Sequence, residues 1–334
     1  MCRKLWLLVI LLFSLSMASS FPQYLMEASS RAVDDIINCD FQHAFLLCDS
    51  LKKEFPTDPL PSILKLSAMG MRDIDCEKTI DSAGFINEFL VSQELIRSFE
   101  QKNGITSYGL MLDGLSKAMH AAFFLRQKAY FDVLHNGVDA IKLLKKAKEL
   151  DSTNADADFF LGLYDYGKSE LKKKLWMVLF WYPGSKKEGI EKLKNCSKNA
   201  SLTRIAAKLS LSDIYIQEKK PGLSEAIISE LENQYKNSRF VLWAKVKYLE
   251  SVKNYDSTAA VYEKLSMQYA LIPEGKQNFF ATRNRMAHML KLAGKNQSAA
   301  EVCKSLLDDQ QFDQYREIKK DTRKLLENLD NGKS

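Results

Sequence analysis

Gly162-Leu163-Tyr164-Asp165-Tyr166-Gly167-Lys168-Ser169 satisfies GxxxxGK[ST], the pattern of a phosphate-cradling loop whose lysine reaches phosphate and whose hydroxyl binds magnesium. The neighbouring residues oppose that chemistry. Such a loop leaves a strand and opens a helix, so that backbone N–H groups converge on the phosphate. Residues 157–167 instead carry helical spacing, and Asp165 within the pattern would repel phosphate. The motif therefore reads as part of a packed helix, and no cofactor is expected. His43, His120, His135 and His288 are widely separated, and none lies in HExxH or near paired cysteines, so no metal site is expected. Asp34-Asp35, Asp73 with Asp75 and Glu77, and Asp308-Asp309 read as caps and solvated charge at loops or helix ends. No GxSxG elbow, SxxK pair or catalytic cysteine signature is expected, no catalytic residue is assigned, and the chain is expected not to be an enzyme.

Cys39, Cys48, Cys76, Cys196 and Cys303 are irregularly spaced with no CxxC, which points to buried small side chains. Cys39 with Cys48 is the pair to test for a bridge. Three sequons, at Asn195, Asn199 and Asn296, are glycosylation acceptors only in a eukaryotic secretory route. A different contact chemistry resides in the 170–184 insertion. There Leu175-Trp176-Met177-Val178-Leu179-Phe180-Trp181-Tyr182 lies between Lys172–Lys174 and Pro183-Gly184, with Lys186 and Lys187 beyond. The run is too short to span a bilayer. Aromatics flanked by lysines have the form of an interfacial membrane contact or a partner-binding knob, and the alternative is that they fill the inner curve of the fold. Trp176, Phe180, Trp181 and Tyr182 are the candidate partner-contact residues.

The elements that would hold these residues are helical. The chain has 334 residues, with only 14 glycines and 7 prolines, which disfavours turn-rich sandwiches, propellers and glycine-rich nucleotide folds. Residues 1–20 have the form of a signal peptide: Arg3 and Lys4, an apolar run from Leu5 to Phe13, then small residues up to Ser20. Losing Arg3 and Lys4 takes the formal charge from +6 to +4, too mild an excess for a nucleic-acid footprint.

Beyond residue 20 one pattern recurs: a small residue, a bulkier or sulfur residue four later, and an apolar or small one three after that. It occurs at Ala44/Cys48/Leu51, Ala140/Leu144/Ala147, Gly189/Leu193/Cys196, Thr258/Tyr262/Leu265 and Ala299/Cys303/Leu306. On a helix these offsets share one stripe, so each set predicts a buried seam. Breakers at 52–59 and 148–157 and a tight turn at Gly294 predict helix ends, and Asn103-Gly104 predicts another. Residues 60–125 fit the period poorly and predict longer hairpins. The spacing resembles the tetratricopeptide repeat, a helix-turn-helix of about 34 residues, most regularly over 283–316. Residues 157–215 are also similar to a group of tetratricopeptide proteins with a Leu-Gly-x-Tyr helix, an apolar insertion, a Pro-Gly turn and a second helix beginning at a glycine. This chain has Ser185, Lys186 and Lys187 where that group often carries an Asp-Arg pair.

The resemblance implies a binding scaffold without chemistry of its own. The expectation is an all-α chain, a right-handed α-solenoid forming one domain over 21–334, capped by a helix at about 311–330. It would be exported, to the periplasm or cell envelope in a bacterium and otherwise secreted, and would hold a protein or peptide partner on a surface lined by first helices. A peripheral protein that contacts a membrane surface through 175–182 is the competing expectation.

Overall fold

The computed structural model describes residues 24–174 and 185–331, and every regular element among them is helical. The signal-peptide segment and the aromatic run at 175–182 lie outside the described residues. The chain divides into two compact units. One comprises the described residues up to Arg72 together with Ile80–Lys208; the other comprises Asp73–Thr79 and the chain from Leu209 onward. The first holds α1 (24–37), α2 (Phe41–Glu54), most of α3 (Leu60–Asp75), α4 (Ser82–Asn103), α5 (Ser107–Arg126), α6 (Tyr130–Leu150), α7 (Asp158–Lys174) and α8 (Lys186–Asn199). The second holds the last turn of α3 and most of α9 (Arg204–Gln217), then α10 (Pro221–Gln234), α11 (Arg239–Ser251), α12 (Tyr255–Ala270), α13 (Lys276–Leu292), α14 (Asn296–Leu307) and α15 (Arg316–Asn331).

A single turn geometry recurs between helices. Cys39 (φ 62°), Glu77 (φ 53°), Lys128 (φ 61°), Lys219 (φ 57°), Lys253 (φ 59°) and Gly294 (φ 78°) all take the left-handed conformation just after a helix. In each case the next residue's N–H returns to a carbonyl five positions back: Asp40 to Asp35, Lys78 to Asp73, Ala129 to Phe124, Lys220 to Tyr215, Asn254 to Leu249 and Lys295 to Leu290, at 2.8–3.2 Å. This closure satisfies carbonyls that the helix end would strand and reverses the chain into the next helix. Lys219 and Lys253 occupy equivalent places 34 positions apart.

The five predicted seams are buried. Ala44, Cys48 and Leu51 on α2, Ala140, Leu144 and Ala147 on α6, and Ala299, Cys303 and Leu306 on α14 are all within 2% of full burial. Those on α8 and α12 are buried as well. A sixth seam of the same spacing, Ser224, Ile228 and Leu231, runs along α10, and the Ser224 hydroxyl shares a hydrogen bond of 2.8 Å with Ser212 of α9. The 60–125 region supplies the long α4 and α5, with Gly104 (φ 73°) closing the former. The terminal helix begins later than 311 because Asp309 caps a 3-10 turn over Gln310–Gln314 by accepting from Gln311 N–H. That turn buries Phe312 completely, stacked on Phe280 at 4.8 Å.

Candidate functional site

The second unit carries an open groove of about 850 Å³. Three helices supply most of its lining, each with one face at helical spacing: Leu209, Ser212, Asp213 and Ile216 of α9; Phe240, Trp243, Ala244 and Lys247 of α11; Arg285, His288, Met289 and Leu292 of α13; Ile74, Asp75 and Glu77 and Tyr262 of α12 also contribute. Residues three and four apart share a helix face, so the helical pattern itself builds the lining. Each of these helices precedes one of the recurring turns, and its successor carries a seam. The floor is apolar and the rim is charged.

The rim charges are largely paired. Lys247 lies 3.0 Å from Asp213, and His288 Nε2 lies 2.7 Å from Asp321. Burial pushes the Asp321 carboxyl up, but hydrogen bonds with Asn284 and His288 outweigh burial and hold it below the usual range. The Arg285 guanidinium sits 5.1 Å over the Trp243 ring, which packs edge-on to Tyr262 at 5.8 Å. Tyr262 donates its hydroxyl to Glu250 at 2.8 Å; burial and that carboxylate raise its pKa above the ordinary tyrosine value. Such a surface offers apolar area and cation–π contact to a ligand, with ion pairs that can be exchanged at the rim.

One end of the groove is fixed by Asp73–Thr79. Asp75 is fully buried and accepts from Arg239 Nε at 2.9 and 3.0 Å and from Arg239 Nη2 at 2.6 Å. The Tyr269 hydroxyl donates to its carboxylate and backbone carbonyl at 3.1 Å, Asn278 donates to the same carbonyl at 3.3 Å, and Trp243 Nε1 donates to the Tyr269 hydroxyl at 2.9 Å. Asp75 is thus neither cap nor solvated charge, as the sequence led one to expect. It is a buried anion whose partner lies 164 residues away, and no local pattern can announce such a pair.

The residues singled out for chemistry fall elsewhere. Gly162 to Ser169 lie wholly inside α7, so their N–H groups serve the helix's own ladder rather than an anion. Lys168 packs over the Tyr164 ring at 4.3 Å and lies 3.6 Å from Asp165. Gly162 has a packing role, since a Cβ there would stand 2.9 Å from the Gly189 carbonyl, and one on Gly189 would stand 2.7 Å from the Gly162 carbonyl. The two glycines let α7 and α8 touch backbone to backbone. His43 contacts Asp35 at 2.8 Å, His120 stacks on Phe89 at 3.8 Å, and His135 is exposed near Asp139. No group of three metal-ligating side chains occurs among the described residues. Cys39, Cys48, Cys76, Cys196 and Cys303 form no disulfide among the described residues, and burial raises the Cys48 and Cys196 thiols to about 12 and the Cys76 and Cys303 thiols to about 11.

The expectation of no Ser-x-x-Lys pattern does not hold: Ser50 with Lys53, Ser62 with Lys65 and Ser169 with Lys172 all have that spacing. The Ser62 hydroxyl is fully buried and bonded to Glu88, which also takes Lys52 at 2.7 Å. Its oxygen is committed to packing. Of the sequons, Asn195 and Asn199 lie on α8, where Asn195 donates to Asp158 at 2.6 Å and Asn199 donates to Asn195 at 2.7 Å. Trp176, Phe180, Trp181 and Tyr182 fall outside the described residues, and among those described no helix is long and apolar enough to cross a membrane. No protein-family model and no curated protein sequence matches this chain, so the tetratricopeptide resemblance rests on the residues quoted above.

Proposed function

We propose that this chain is an exported, non-enzymatic scaffold, a right-handed α-solenoid of tetratricopeptide-like helix pairs that holds a protein partner. Its ligand is a peptide or helix with apolar side chains, laid along α9, α11 and α13. The carrying observation is that these three helices, each the first of a turn-linked pair, contribute one helical face apiece to a single groove with an apolar floor. Binding is geometric: apolar side chains leave water against Trp243, Ile216 and Met289, while Arg285, Lys247 and His288 orient the ligand from the rim. Export rests on the form of residues 1–20.

Site-specific photocrosslinking in the producing cells tests the proposal. A photoreactive residue at Ile216 or Leu292, in the groove, is expected to give one discrete protein adduct, mapped to a single partner segment. The same residue at exposed Leu46 on α2 should not give it. Adducts equal at all three positions, or recovery of lipid alone, would overturn the proposal.

A further inference from the structure

Helix α15 carries a second surface. Arg316, Lys319, Lys320, Arg323 and Lys324 line one shallow hollow of about 670 Å³ with Asp313 and Glu327. At 100° per residue these cations fall within an arc of about 140° and a length of about 12 Å. Lys319 is tied to Asp313, whereas Arg316, Lys320, Arg323 and Lys324 are exposed. The opposite face holds Thr322, Leu325 and Leu329 in the core, with Ile318 and Leu326 packed beside them. Asp321 bonds His288 and Asn284 and also feels the charge of Lys324.

Glu317 stands in the first turn of α15 beside Arg316, Glu327 and Asp330 stand toward its end, and its last turn has no basic residue. Four of the five arc cations are exposed, so their charge faces solvent. The arc has no apolar side chain to anchor a peptide and no aromatic face to stack a base, and its hollow is shallow and open. A plane of anionic headgroups matches it best.

We propose that this face of α15 docks on an anionic phospholipid surface by charge, without insertion. The test is co-sedimentation of the full chain with vesicles of mixed phosphatidylcholine and phosphatidylglycerol, with pure phosphatidylcholine vesicles as control. The wild type is expected to bind only the anionic vesicles and to be released by high salt. Each cation removed should weaken binding about fivefold, so that R316Q/K320Q/R323Q/K324Q loses more than about a hundredfold. These side chains lie off the packed face, so the variant should melt close to the wild-type temperature, which separates lost binding from lost folding. Vesicle binding undiminished in the variant, equal binding to neutral vesicles, no binding by the wild type, or capture of polyglutamate in place of vesicles would each overturn the proposal.

Discussion

Removing Arg239 leaves the Asp75 carboxylate fully buried, with the Tyr269 hydroxyl as its remaining side-chain donor among the described residues. Breaking a buried pair from one side costs about 3–5 kcal/mol, because the remaining charge has neither water nor partner. Arg239→Met is therefore expected to destabilise the second unit by about 3–5 kcal/mol at pH 7. Asp75→Leu combined with Arg239→Met removes both charges and should cost less than the sum of the two single changes. Urea unfolding followed by Trp243 fluorescence, with Trp6, Trp176 and Trp181 replaced by Phe, reads this directly. A loss under about 1 kcal/mol would refute the reasoning.

Other consequences follow from the packing and the turns. Gly189→Ala places a methyl group 2.7 Å from the Gly162 carbonyl and is expected to lower stability by about 1–3 kcal/mol in thermal melts, despite alanine's better helix propensity. Lys253→Gly relieves a left-handed lysine and should raise stability by about 0.5–1 kcal/mol, net of the freedom glycine adds to the unfolded chain. For the buried thiols, the raised native pKa stabilises fully below the ordinary value near 9 and is lost as pH climbs toward 11–12. Alkaline unfolding should therefore steepen above pH 9, by up to about 1.4 kcal/mol per pH unit for each thiol. Site-resolved alkylation at pH 8 should label the partly exposed Cys39 far faster than Cys48, Cys76, Cys196 or Cys303. Mass spectrometry of protein from its own cells should find an N-terminus just after Ala18 or Ser20; an intact Met1 would remove the case for processing.

The fold was legible wherever a residue type is forced by its local place. Seams on α2, α6, α8, α12 and α14 announce themselves because close helix approach needs a small residue and the space beyond needs a large one. The α10 seam escaped because Ser224 fills the small position with a hydroxyl that pairs with Ser212, and a lone serine reads as surface. Helix ends at Gly104 and Gly294 were legible through glycine. The same left-handed turn at Cys39, Glu77, Lys128, Lys219 and Lys253 was not, because the repeated hydrogen-bond closure overrides the residue's own preference. The sequence led to a partner surface of first helices but not to this groove. Its floor residues, Trp243, Ile216 and Met289, are ordinary apolar helix positions until α9, α11 and α13 come together. Asp75 and Arg239 have no signal at all at the level of sequence.

The central claim is that the groove of the second unit is where the protein meets its partner. Hydrogen–deuterium exchange of the chain with and without the crosslink-identified partner segment tests it most directly. Protection confined to 209–217, 240–250 and 285–292 is the predicted result. Protection that spares these three helices and falls elsewhere on the chain would contradict the account.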